Sequence, residues 1–123
     1  MSNIKRVEDL EVYRKLFNLH IEIHKLTLTF PKYELYELGS QLRRSSNSAP
    51  ANLAEGFSNK HTRIYLEGIY RAQGEIREII HHLKVAYCKK YLAEEKAKYY
   101  INNYNSCGKM LTNLKKSLKK YIR

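Results

Sequence analysis

Apolar residues recur every three or four positions along most of the 123-residue chain, which is the spacing of one face of an α-helix. Over residues 8–29 the seam is Val12, Leu16, Leu19, Ile23, Leu26 and Phe30. A second stripe, Leu10, Tyr13, Phe17, Ile21 and Leu28, runs beside it. A helix with two apolar stripes is either central in a bundle or partly covered by another subunit. Glu8, Asp9 and Glu11 suit the positive end of the helix dipole and mark the start. Phe30-Pro31 marks the stop, because the residue before proline is pushed out of helical geometry.

Three more stretches follow, over residues 34–58, 62–90 and 93–121. The third carries a seam of Tyr65, Ile69, Ala72, Ile76, Ile79, Leu83 and Ala86. The fourth carries Ile101, Tyr104, Leu111, Leu114, Leu118 and Tyr121, with Glu94 and Glu95 in its first turn and lysines crowding its end. Nowhere does period-two alternation run for the length of a strand. Four helices with short connections predict an all-α, antiparallel up-down-up-down four-helix bundle, with residues 1–123 as one domain.

Residues 34–58 hold a proline. Leu38, Leu42, Ser45, Ala49, Leu53 and Phe57 line one helical face across it, which predicts a single helix kinked at Pro50. Proline removes one backbone donor and crowds the carbonyl four residues back, at a cost of about 3 kcal/mol when nothing relieves it. Nearby serine hydroxyls can compensate or stabilise a bend. The alternative is two helices meeting here, with Ser48 as N-cap and Pro50 in a first turn. Ser45, Ser46, Ser48, Ala49, Ala51 and Ala54 are small enough to admit another backbone.

Charge changes the picture. Lys and Arg number 23 against 12 Asp and Glu, a formal net of +11. Every acidic residue lies at or before Glu95, so residues 96–123 carry cations and no acid. Such a balance favours polyanions: nucleic acid, an acidic protein or an anionic membrane surface. No apolar run approaches the length that spans a bilayer, and no secretory leader is evident at the N-terminus. With two cysteines and no disulfide framework, a reducing cytoplasm is the expected setting. Cys88 and Cys107 fall too far apart along a helical hairpin to bond, and are expected as free thiols.

Candidate nucleic-acid contacts are Arg43, Arg44, Lys60, Arg63, Lys115, Lys116, Lys119, Lys120 and Arg123. Arginine grips phosphate through paired hydrogen bonds, and cations at a helix N-terminus, as at Lys60, His61 and Arg63, add to an anion site. The competing use of Arg43 and Arg44 is ion pairing with Glu55 or Glu78. Asn52, Glu55 and Glu78 are expected to form a structural polar network. Arg71 and Arg77, among Glu67, Glu75 and Glu78, are expected to pair within helix three. In the fourth stretch Leu114, Leu118 and Tyr121 are too slight for a membrane-surface face, which favours nucleic acid over membrane. Tyr99, Tyr100, Tyr104 and Tyr121 either stack on bases or serve as core and interface. His20 and His24 sit four apart but lack a third ligand, so no metal site is expected. No nucleophile–base set, paired catalytic carboxylate or glycine-rich phosphate loop stands out, so neither catalysis nor a cofactor is expected.

One set of residues also carries a resemblance. It comprises Phe30-Pro31, Glu34, Tyr36, Leu38, Gln41-Leu42-Arg43-Arg44, Ser48, Pro50-Ala51-Asn52-Leu53-Ala54-Glu55-Gly56, Ala72, Gly74 and Glu78. These resemble a four-helix-bundle family with two known groups. One is encoded by intervening sequences within large-subunit ribosomal RNA genes. The other is Avd, the accessory protein of diversity-generating retroelements. The match spans roughly residues 8–90 and is densest over 30–57. Serines stand at 45 and 46 where the family often has alanine, and Gln73-Gly74-Glu75 stands where a basic residue and Gly-Ser are common. The resemblance implies a homopentameric barrel with a basic surface that binds RNA or DNA. For the Avd group it also implies partnership with a reverse transcriptase.

Overall fold

The expected seams of the first and third helices are buried, that of the second is buried up to Leu53, and that of the fourth only in part. In the computed structural model, which describes residues 3–58 and 60–122, the four helices are α1 (Glu11–Thr27), α2 (Leu38–Gly56), α3 (Thr62–Cys88) and α4 (Glu94–Lys119). Single 3-10 turns at Val7–Asp9 and Lys32–Glu34 complete the regular structure, and no strand occurs among the described residues. α2 packs most extensively on α3, α1 on α2, and α3 on α4, with a lighter contact between α1 and α4. The result is an all-α four-helix bundle.

Two helices start later than their acidic residues suggest, for one reason. The carboxylates accept backbone N–H groups from turns or from the helix start while standing outside the helices themselves. Asp9 accepts the N–H groups of Lys5 and Arg6, both at 2.9 Å. That closes a 3-10 turn, and Leu10 is extended before α1 begins at Glu11. Glu34 closes a second turn and accepts the N–H of Leu38 at 3.3 Å, so α2 begins at Leu38 rather than at residue 34. α1 ends at Thr27, where Thr27 and Thr29 hydroxyls bond back to the carbonyls of His24 and Leu26.

α2 runs as one helix through Pro50, which is buried. The serine hydroxyls before it bond to carbonyls one turn back: Ser45 to Gln41 at 2.8 Å, Ser46 to Arg43 at 3.2 Å. Small side chains do admit a second backbone, and the closest approach is glycine on glycine. A Cβ on Gly56 would lie 2.9 Å from the Cα of Gly68, and one on Gly68 would lie 2.8 Å from the carbonyl oxygen of Asn52. α2 and α3 therefore touch main chain to main chain.

α1 is not central. Its first seam is buried, while Phe17, Ile21 and Leu28 of the second stripe stand 51%, 43% and 58% exposed. The α4 seam is also shifted. Tyr104 and Leu111 are fully buried, joined by Ala97, Tyr100 and Cys107. Tyr121, expected in the seam, lies past the end of α4 and is exposed. The helix stops at Lys119, so the face that carried Leu114 and Leu118 does not continue to it. α3 ends with Lys90 in the left-handed region (φ 65°), a common helix stop. Tyr91 N–H reaches back to the carbonyl of Ala86 at 2.9 Å.

Candidate nucleic-acid interface

The two arginines of the opening pair have internal partners. Arg43 points inward and donates to Thr27 Oγ1 at 2.9 Å and to the carbonyl of Leu35 at 2.5 Å. It thereby ties α2 to the end of α1 and the connection between them. Arg44 lies outward and pairs with Glu78 at 2.6 Å. Both groups of that pair are partly exposed, so it adds little to stability. Glu78 also faces His82 at 3.3 Å. Burial would raise the Glu78 carboxyl, but His82 and Arg44 outweigh it and hold it below the usual range. Among the described residues Glu78 pairs with Arg44 and His82 and not with Asn52 or Glu55, and Glu55 is exposed.

The other cations gather where α3 begins and α4 ends. Ser58 Oγ accepts the N–H groups of Lys60 and His61, at 3.1 and 3.0 Å, and so closes the turn that leads into α3. His61 and Arg63 share a shallow hollow with Tyr121 and Ile122. Two segments far apart in sequence thus meet at one end of the bundle. Lys115 Nζ lies 4.9 Å from the ring centroid of Tyr70, and Lys119 Nζ lies at 6.0 Å, within cation–π range. Lys60, Arg63, Lys116, Lys119 and Lys120 are exposed, and none of them is in an ion pair among the described residues. Arg123 lies outside the described residues.

Arg77 corrects an expectation. Arg71 pairs with Glu67 at 2.5 Å, but Arg77 has no ion pair among the described residues and instead lines the groove between α3 and α4, with Lys109 and Lys115. Helical phase was the signal for this: Gln73 and Arg77 sit beside the α3 seam, as Asn105, Lys109 and Thr112 sit beside that of α4. Tyr70 was likewise not singled out. Of the four tyrosines that were, Tyr100 and Tyr104 are buried, and Tyr99 and Tyr121 are exposed.

A polar cluster holds the opposite end. Glu34 is buried, and its Oε2 accepts from Tyr91 Oη at 2.7 Å and Lys89 Nζ at 3.2 Å. The Tyr91 hydroxyl, then Lys89 and the Leu38 N–H, hold the Glu34 carboxyl below its usual range. Glu75 shows the reverse, raised by burial and by the neighbouring Glu78 charge. His20 Nδ1 lies 2.8 Å from Ser46 Oγ, and its ring meets His24 edge-on. Among the described residues no group of three or more His, Cys, Asp and Glu side chains is placed to hold a metal. No described helix is long and apolar enough to cross a membrane. Both cysteines are free, Cys88 exposed and Cys107 buried.

Fold and surface together define a basic four-helix-bundle protein. The model of the 23S rRNA-intervening sequence protein family matches residues 8–113, and the chain belongs to that family. No curated protein matches the chain significantly.

Proposed function

We propose that this protein is a non-enzymatic, homo-oligomeric nucleic-acid-binding protein that acts as an accessory to RNA. The observation that carries this is the cluster of exposed, unpaired cations where α3 starts and α4 ends, on a chain of net charge +11. Phosphate binding releases condensed counterions, so such a surface binds strongly at low salt and weakly at high salt. Nothing in it resembles a base-reading motif, so sequence preference is weak.

The oligomer is a pentameric barrel of up-down-up-down bundles. The exposed Phe17–Ile21–Leu28 stripe supports an oligomer, since a stripe of that kind is stabilised by burial against another copy. The up-down order fits the contacts between successive helices, and the subunit number follows the family resemblance. An Avd-like role beside a reverse transcriptase is the second form of this function; the block from Pro50 to Gly56 is common to both groups of the family and does not choose between them. A neighbouring reverse-transcriptase gene with a template repeat distinguishes it from a role tied to ribosomal RNA.

Light scattering tests the proposal, with and without a short RNA, at low and at high salt. The expected result is a multiple of the 14.6 kDa chain near five, which gains mass with RNA only at low salt. A monomer indifferent to RNA overturns it.

A further inference from the structure

Between α3 and α4 runs an open groove of about 750 Å³. Its charged walls are Arg77 from α3 and Lys109 and Lys115 from α4, and among the described residues no carboxylate lines it. The acids of α3 face elsewhere. Glu78 meets Arg44 and Glu67 meets Arg71, while Glu75 lies near Glu78 and Arg44. α4 supplies no acid after Glu95. The groove therefore has a field of one sign between two protein walls, the arrangement that concentrates anions.

Its floor is mixed, with Ile76, Ile80 and Tyr104 beside Gln73, Asn105 and Thr112. Gln73 Nε2 donates to Thr112 Oγ1 at 3.2 Å, bridging the two helices. A Cβ on Gly108, which lines the groove, would meet nothing within 4 Å. Beside the groove, the half-exposed Tyr70 ring carries Lys115 and Lys119 over its face. Cations along a groove with a neighbouring aromatic ring are the elements that hold a single strand without sequence preference.

We infer that the α3–α4 groove binds a single strand of RNA or DNA, its phosphates held by Arg77, Lys109 and Lys115. This rests on the nucleic-acid function above and assigns where the strand lies.

The test compares two triple variants of equal net charge. One is Arg77→Gln/Lys109→Gln/Lys115→Gln. The other, at exposed lysines outside the groove, is Lys25→Gln/Lys32→Gln/Lys90→Gln. Binding of a fluorescent oligouridylate is titrated over a range of salt, and circular dichroism melts check that both are folded. The groove triple is expected to lose about tenfold or more in affinity. Its slope of log affinity against log salt should fall by about 2, since each single-strand phosphate contact contributes about 0.7. The control triple should keep the wild-type slope. Gly108→Glu and Gly108→Lys make the same backbone change with opposite charge, and should weaken and tighten binding respectively. Equal losses in the two triples would overturn the groove assignment while leaving nucleic-acid binding intact. A wild-type protein that fails to bind would overturn both. Tighter binding of polyglutamate than of RNA would give the groove to an acidic protein instead.

Discussion

Helix α3 meets its two neighbours in opposite ways. Against α2 the backbones touch, and Gly56 and Gly68 leave no room for a methyl group. Against α4 the packed helices leave an open surface groove along their seam, and Gly108 faces open space. Glycine serves close packing in one seam and openness in the other. The tight seam lies where α2 and α3 bury Leu53, Ile69 and Ala72. The open one is lined by cations whose mutual repulsion would resist closer packing. It is secured at its far end instead, where Glu34 holds Tyr91 and Lys89 of the α3–α4 turn to the α1–α2 connection.

The sharpest way to break this comparison is Gly68→Ala. A methyl there would sit 2.8 Å from the Asn52 carbonyl oxygen, so the helices must separate. The expected loss is about 1–3 kcal/mol from overpacking, despite the better helix propensity of alanine. Chemical denaturation measures it, and an unchanged midpoint would mean that the seam yields. Gly108→Ala should do the reverse. With nothing for the methyl to strike, the helix should gain about 0.5–1 kcal/mol, visible as a higher melting temperature. A loss there would mean that the groove closes in solution.

The clamp at the end of the open seam gives a smaller effect, confined to acid. Glu34 has a folded pKa below its ordinary value of 4.5. Its ionised form therefore contributes stability at higher pH, and that contribution is lost as pH falls below about 4.5 towards the folded value. Asp9 and Glu78 act in the same direction, and Glu75 in the opposite one. In melts across this range Glu34→Gln should flatten the acid limb of the stability curve. An unaltered limb would place the acid sensitivity with Asp9 and Glu78.

What could be read from the sequence follows from the range of the interaction. Local periodicity found the seams of α1 and α3 residue by residue, because each helix buries one face against the core. It overextended the seam of α4, since periodicity does not register that the helix stops before Tyr121. Asp9 and Glu34 look like first-turn residues, yet they cap turns that precede the helices. Arg43 and Arg44 are adjacent, so one faces in and the other out, and only the fold shows that Arg43 reaches Thr27. The second stripe on α1 was legible as apolar, and the pattern left two alternatives open, a central helix or a face for another subunit; the fold leaves Phe17, Ile21 and Leu28 uncovered within the bundle. The pairing of Arg77 with Lys109 and Lys115 along one groove depends on the relative rotation of α3 and α4, which no single-helix pattern contains.

The two cysteines give the molecule a built-in clock. Cys107 sits fully buried in the core side of α4, and burial pushes its thiol up to about 11, whereas Cys88 lies in the open at the end of α3. Thiolates, not thiols, are alkylated. A maleimide dye should therefore mark Cys88 at once and reach Cys107 only as often as α4 comes away from the bundle. The delay between first and second label is then a direct record of how long this protein stays folded.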